Sequence, residues 1–301
     1  GESTQSKIKK VLDKAAEHGA DATLLSALDE IAWTLNVRCS DVEFNPVTIS
    51  YAYLSDTVNV FFVDERKIDA DVRSYLNECG VEVAPYDSVE KSLEKIKDAT
   101  VLLDPNKTSD TIARSLLNCG TVYAQSPVAL LKAVKNDVQI EGTRKAMERD
   151  GVAMVQFLKW LEEAVPKGSE TELTASAKLY QLRAGQPKFR DISFDTIAAY
   201  ADHAAIVHYE PTPLTDVKLE PKGLLLLDSG AQYSDGTTDI TRTIALGDVT
   251  DRERRVYTLV LKGHLALQNL CFPRSASGTQ LDAVARTAMW REGMNFMHGT
   301  G

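Results

Sequence analysis

The chain has 301 residues, enough for two domains with ordinary cores, and 44% of them are apolar while 26% are charged. With 43 acidic against 34 basic side chains, a formal charge of -9 and a pI near 5.2, it lacks the basic balance of a non-specific nucleic-acid binder and has that of a soluble protein. Cys39, Cys79, Cys119 and Cys271 are widely spaced with no CxxC pair, which excludes a zinc knuckle or a disulfide framework and fits a reducing compartment.

No apolar stretch reaches bilayer-spanning length and no signal-peptide pattern is read. From about Ser6 a charged amphipathic helix ends at His18-Gly19, followed by a strand "ATLLSAL" and a helix around "LDEIAWTLN". Strands "ISYAYLS" and "TVNVFFV", helices "DADVRSYLNECG" and "SVEKSLEKIKD", a strand "TVLLD" and a helix "SDTIARSLLNCG" complete an α/β unit assigned to residues 1–130. A second unit, 131–301, is expected to start near "SPVALLKAVKND", with its own hydrophobic core. Its long helix, about Val138 to Val165, places Met147, Met154, Leu158, Leu161 and Val165 on one stripe and is stopped by Pro166 and Gly168. Ser169 and Glu172 have capping-box spacing for a following helix. Strand-rich sequence then runs through "ISFDTIAAY" and "AAIVHYEP" to a hairpin, and an amphipathic helix from about Asp251 to Leu270 carries His264, read as a packing residue.

The hairpin "GLLLLDSGAQYSDGTTDITRT" carries the chemistry. Leu224 to Leu227 read as a strand buried on both faces, ending in Asp228; Ser234, Asp235 and Gly236 supply turn chemistry before a strand from Thr237 to Leu246 that holds Asp239. A carboxylate at the end of a buried strand is costly to ionise without a cation or several donors beside it. An Asp235-Gly236 loop would set Asp239 opposite Gln232 and part the carboxylates by roughly 13 Å, at about 3.3 Å per residue. A turn centred on Tyr233-Ser234 would make Asp228 and Asp239 direct partners, with Cβ atoms about 5 Å apart. Hydrogen-bond chemistry alone chooses the first; a divalent-cation site chooses the second, with the carboxylates facing one another near His208. In an arbitrary hairpin, the same residues are ordinary turn and solvated strand positions.

His208 falls on an expected strand, where a lone His is usually structural. Yet "HY", "DSGAQYSDGTTDITRT" and "MHGTG", in that order, resemble the catalytic domain of the X-prolyl aminopeptidase (aminopeptidase P) family of pita-bread metallopeptidases. The resemblance extends through "AVKNDVQIEGTRKA", "FLKWLEEAVPKG" and "ISFDTI", and "ALDEIAWTLNVRCSDVEFNPV" resembles the middle domain of the three-domain cytosolic type, so essentially the whole chain is matched. It implies an α/β N-terminal unit of creatinase/aminopeptidase P N-terminal type followed by an incomplete α+β pita-bread catalytic domain. By the same resemblance, Asp228 would bind one metal of a pair and Asp239 would bridge both, usually manganese. His208 would contact the substrate and stabilise the tetrahedral intermediate, and His298 would line the substrate site. Two hard cations suit carboxylate oxygens and favour amide cleavage. Substrates would be peptides with proline second, no nucleic acid or membrane would be a partner, and the parent protein would be a cytoplasmic homodimer.

The family's next residue after Gly301 would be a ligating His, with two glutamates later still. The chain is therefore expected to be an internal fragment, inactive as it stands, with apolar surface left open at Leu224 to Leu227. The rivals are prolidase, which shares the hairpin and acts on X-Pro dipeptides, and a catalytically dead pita-bread binding module, disfavoured because Asp228 and Asp239 are both kept.

Overall fold

The structure, a computed structural model, describes residues 1–299 of the 301. Two compact units divide between Glu141 and Gly142.

In the first unit, α1 (Thr4–Ala16), β1 (Ala22–Leu25), α2 (Leu28–Leu35), β2 (Ser50–Ser55), β3 (Asn59–Val63) and α3 (Ala70–Glu78) lead to β4 (Val81–Pro85), α4 (Val89–Leu93), β5 (Thr100–Leu103), α5 (Asp110–Arg114), β6 (Gly120–Tyr123) and α6 (Pro127–Ala133). One mixed sheet has the order β4-β3-β2-β1-β5-β6, antiparallel where β2 meets β1 and β3 and parallel elsewhere. All four residues of β1 are buried, as a central strand covered on both faces requires. The period of two sends Phe61 into one core with Ile31, Leu54 and Leu76, and Phe62 into the opposite one with Leu24, Val101 and Leu103.

Helix α6 belongs to this unit, and the division falls later than the 130/131 boundary expected from sequence. Its cap residue Ser126 donates its hydroxyl to Glu30 at 2.5 Å and its N–H to Asp104 at 2.9 Å, while Val128 is fully buried among residues of α1 and α2. These long-range partners tie "SPVALLKA" to what precedes it.

The second unit takes up the long helix α7 (Asp137–Ala164), then α8 (Glu172–Ala184), β7 (Phe189–Ile192), β8 (Ile197–Tyr200), a 3-10 turn over Ala201–Ala205, β9 (Leu224–Ser229), β10 (Ala231–Tyr233), β11 (Gly236–Thr237), β12 (Ile240–Ala245), α9 (Asp251–Gln268) and α10 (Gly278–Trp290). Two antiparallel sheets form, β12-β9-β8 and β11-β10-β7. Met154, Phe157 and Leu161 of α7 and Leu179 of α8 pack on Leu225 and Leu227 of β9. The aliphatic run is therefore not buried on both faces as expected: Leu225 and Leu227 are sealed, while Leu224 and Leu226 on the other face are half-buried. The cap of α8 is Thr171, in a reciprocal box with Thr174, rather than Ser169, so Glu172 is free to turn inward.

Candidate functional site

The hairpin adopts neither register foreseen from the sequence. Tyr233 pairs with Gly236 and Gln232 with Thr237, which makes Ser234-Asp235 the two-residue loop, and Asp228 then pairs with Thr241. Asp239 consequently stands two residues along from Asp228's partner. The carboxylates share a face as diagonal neighbours, a relation of about 7–8 Å in a regular ladder. Tertiary packing selects this register. A Cβ on Gly236 would lie 2.9 Å from the Ala146 methyl and one on Gly142 would lie 2.4 Å from the Asp235 carbonyl, so the tip is seated against α7 where both positions lack side chains. Asp235 is further paired with Arg149 and with Lys188.

Between the carboxylates the two strands close tightly. A Cβ on Gly230 would sit 2.0 Å from the Thr238 carbonyl, so only glycine fits there. The Thr238 carbonyl accepts from the Ser193 hydroxyl, while the Thr238 hydroxyl takes over as acceptor for the Ala231 N–H. Here β9 leaves one sheet and β10 enters the other. Below it lies a fully buried, two-bond pair, Arg183 to Asp150 at 2.8 and 2.9 Å, with Arg183 reaching the Gly230 carbonyl at 3.3 Å and the Tyr233 hydroxyl donating to Asp150 at 3.0 Å. Burial, and then the Asp150 charge, push the Tyr233 phenol far above its usual range.

Asp228 accepts a hydrogen bond from the Thr241 hydroxyl at 2.8 Å, which aims its carboxylate. Asp239 titrates above the ordinary carboxylate range, because of partial burial first and the Asp228 charge second. The Asp228 charge is thus felt at Asp239. Among the described residues, no group of three or more His, Cys, Asp or Glu side chains is arranged to hold a metal ion.

His208 is not on a strand. It is an exposed turn residue after the 3-10 segment, with φ at +56°, a left-handed conformation uncommon outside glycine. The following residue, Tyr209, packs with Ile197, Ala199 and Leu226. Ile197 and Ala199 pair with Asp228 and Leu226, so the turn lies on the sheet face that carries Asp228. A cavity of about 820 Å³ opens on this face, bounded by Leu224, Thr241, Thr243, Asp202, Tyr257 and His264. His264 is exposed there rather than packed, because α9 turns Gly263 inward against Ala285.

His298, expected from "MHGTG", meets His208 edge to face, with ring centroids 5.4 Å apart. Its backbone is held by Arg286 of α10, which donates to the carbonyls of Phe296 at 2.5 Å and His298 at 2.6 Å while paired with Asp282. The structure thus brings the two histidines together and sets both carboxylates on one hairpin face. Thr241, Arg286, Glu172, Tyr209 and the Arg183–Asp150 pair were not foreseen from the sequence. Tyr209 and Thr241 fall inside the motifs "HY" and "DSGAQYSDGTTDITRT" without a role of their own, and the spacing of Glu172 from Ser169 points to a cap.

Residues 1–139 match the creatinase/prolidase N-terminal domain and residues 141–301 match metallopeptidase family M24. The chain belongs to metallopeptidase family M24, with a creatinase-type domain ahead of a pita-bread domain. Aminopeptidase P2 of Arabidopsis thaliana is 36% identical over 98% of this chain and 46% of its own length, and a probable Xaa-Pro aminopeptidase P of Fusarium vanettenii is 38% identical over 100% and 51%. The crystal structure of X-prolyl aminopeptidase from Caenorhabditis elegans, described as a cytosolic enzyme with a di-nuclear active site, superposes with a TM-score of 0.91 at 34% identity, covering 100% of this chain and 50% of that one. The chain spans about half the length of the curated relatives it matches. No helix among the described residues is long and apolar enough to cross a membrane.

Proposed function

We propose that this chain supplies part of the active site of a metal-dependent aminopeptidase that releases the N-terminal residue from peptides with proline in second place. The observation that carries the reading is the hairpin: Asp228 and Asp239 on one face, with the His208 turn packed on that same face. Relatives along the full chain bear the same activity in their names. The donor set fits hard divalent cations, two of them by analogy with the di-nuclear relative, and manganese is the ion proposed. Such ions would supply Lewis-acid polarisation of the scissile carbonyl.

The chain's own groups have distinct tasks. Thr241 orients the Asp228 carboxylate. His208, exposed on its turn, presents an imidazole N–H to the oxyanion that develops as the peptide bond is attacked. His298, edge-on to it, lines the substrate side. The setting we propose is a cytoplasmic homodimer acting on peptides, with neither nucleic acid nor membrane as partner.

Two measurements test this. Manganese should raise the unfolding temperature of the chain and leave Asp239→Asn unmoved, since cations relieve the repulsion between the carboxylates; equal responses of the two would remove the metal assignment. Turnover by a protein that includes this chain should favour X-Pro tripeptides over X-Pro dipeptides. Cleavage confined to dipeptides would transfer the assignment to prolidase.

A further inference from the structure

Glu172 opens α8 and is fully buried. Its carboxylate is the meeting point of groups from the segment that carries His208. The Tyr200 N–H donates to it at 2.7 Å, the Tyr209 hydroxyl at 2.8 Å, and the His203 Nδ1 lies 2.9 and 3.0 Å from its two oxygens. A carboxylate oxygen accepts, so the His203 Nδ1 is the donor of these contacts. The His203 and Tyr209 rings also lie against each other, tilted by 32° with centroids 4.4 Å apart. Around these anchors the chain is open: Ala201, Asp202 and every residue from Ala205 to His208 are exposed, and Tyr209 alone is buried.

An exposed non-glycine residue at φ +56° persists only when its surroundings over-determine it. The turn itself is closed by the Tyr209 N–H to Ile206 carbonyl bond of 3.2 Å, and the carboxylate bonds immediately beside it hold both of its ends. Tyr209 is covalently next to His208, and His203 closes the 3-10 turn from the other side through the Ile206 N–H to His203 carbonyl bond of 3.0 Å. The negative end of this arrangement is at the N-terminus of a 13-residue helix, where a carboxylate is favoured.

We infer that Glu172 is a positioning residue for His208: by gathering Tyr209 and His203, its buried carboxylate fixes the left-handed turn that sets the His208 imidazole against His298 and on the face of Asp228. The inference rests on the reading of His208 as a substrate-contacting group, and it assigns Glu172 no contact with substrate or metal.

The test is the ring-to-ring nuclear Overhauser effect between His208 and His298 in the full 301-residue chain, labelled at histidine, with folding checked by circular dichroism. Tyr209→Phe removes one donor and keeps the ring; it should shift the His208 resonances and lose the cross-peak, while His18 and His264 stay in place. Glu172→Ala should do the same, and Glu172→Gln, which keeps an acceptor oxygen for Tyr209, should retain a weakened cross-peak. If Glu172→Ala fails to fold, Tyr209→Phe carries the test alone. A folded Tyr209→Phe variant with unchanged His208 shifts and cross-peak overturns the inference. Should the cross-peak be lost as expected while His208→Ala leaves peptide turnover of an enzyme containing this chain untouched, the positioning stands and the functional reading of His208 falls.

Discussion

Lys7 shows how one side chain sets a pH dependence far from the candidate site. It is nearly sealed in α1, donates to the Trp33 carbonyl at 2.8 Å and to Asn36 Oδ1 at 2.6 Å, and lies over the Trp33 ring at 4.3 Å. Both hydrogen-bond partners are neutral. Burial first, and the Arg38 charge second, push its ammonium down from the ordinary 10.5 to about 8. Between those values the unfolded chain holds the proton and the folded chain sheds it, so the unfolded state binds more protons and stability rises as pH climbs. Below the folded value both states are charged and the burial penalty is fully felt. The unfolding free energy of the wild type should therefore rise relative to that of Lys7→Met between about pH 8 and about pH 10.5. A difference between the two proteins that does not change with pH would mean the ammonium is hydrated in the fold.

The hairpin, as an element, depends on contacts with α7 that no hairpin rule contains. In a helix, replacing glycine by alanine ordinarily stabilises by about 1 kcal/mol. At Gly151 of α7, nothing lies within 4 Å of an added Cβ, and Gly151→Ala should give that gain. At Gly142 the Cβ would meet the Asp235 carbonyl at 2.4 Å; because the obstacle is backbone, the whole tip must move, at a cost of about 1–3 kcal/mol. Gly142→Ala should lower the melting temperature and blunt the manganese response, since the tip fixes the register of Asp239. Two substitutions of the same sign would show the seat to be soft. The same seat explains what was legible in the sequence. The aliphatic run, the two carboxylates and the paired histidines could be read from "DSGAQYSDGTTDITRT", "HY" and "MHGTG", because the residues that bear the chemistry are local. The register could not, since Ser234-Asp235 is chosen by Gly142 and Ala146, some ninety residues upstream. The Ser-x-x-Glu spacing at Glu172 points to a cap because it is satisfied equally well outside and inside a fold; Thr171 and Thr174 do the capping and leave the carboxylate to Tyr209. Strands β4 and β6 leave little pattern in the sequence because they are short edges, β6 having no buried residue.

At the scale of the whole molecule, each core cluster among the described residues draws on one side of the Glu141/Gly142 division only. Leu76 is fully buried with Ile31, Leu54 and Phe61 in the first unit, and Phe157 with Leu161, Leu179 and Leu225 in the second. No strand pairing crosses the division among the described residues. Units that share neither core nor sheet have no requirement to unfold in one step, and a single unfolding free energy then does not describe the chain. A cavity in one core should be felt by that unit alone. Leu76→Ala should cost the first unit about 2–5 kcal/mol and Phe157→Ala the second about 3–5 kcal/mol, from lost transfer energy and the void left behind. Calorimetry should accordingly resolve two transitions, one moved by each substitution and unmoved by the other, with manganese shifting only the transition that Phe157→Ala lowers, because Asp228 and Asp239 belong to that unit. One transition displaced alike by both substitutions would mean that the two cores are coupled through α7, the helix that runs across the division, and that the metal-responsive face is stabilised by the first unit as well as its own.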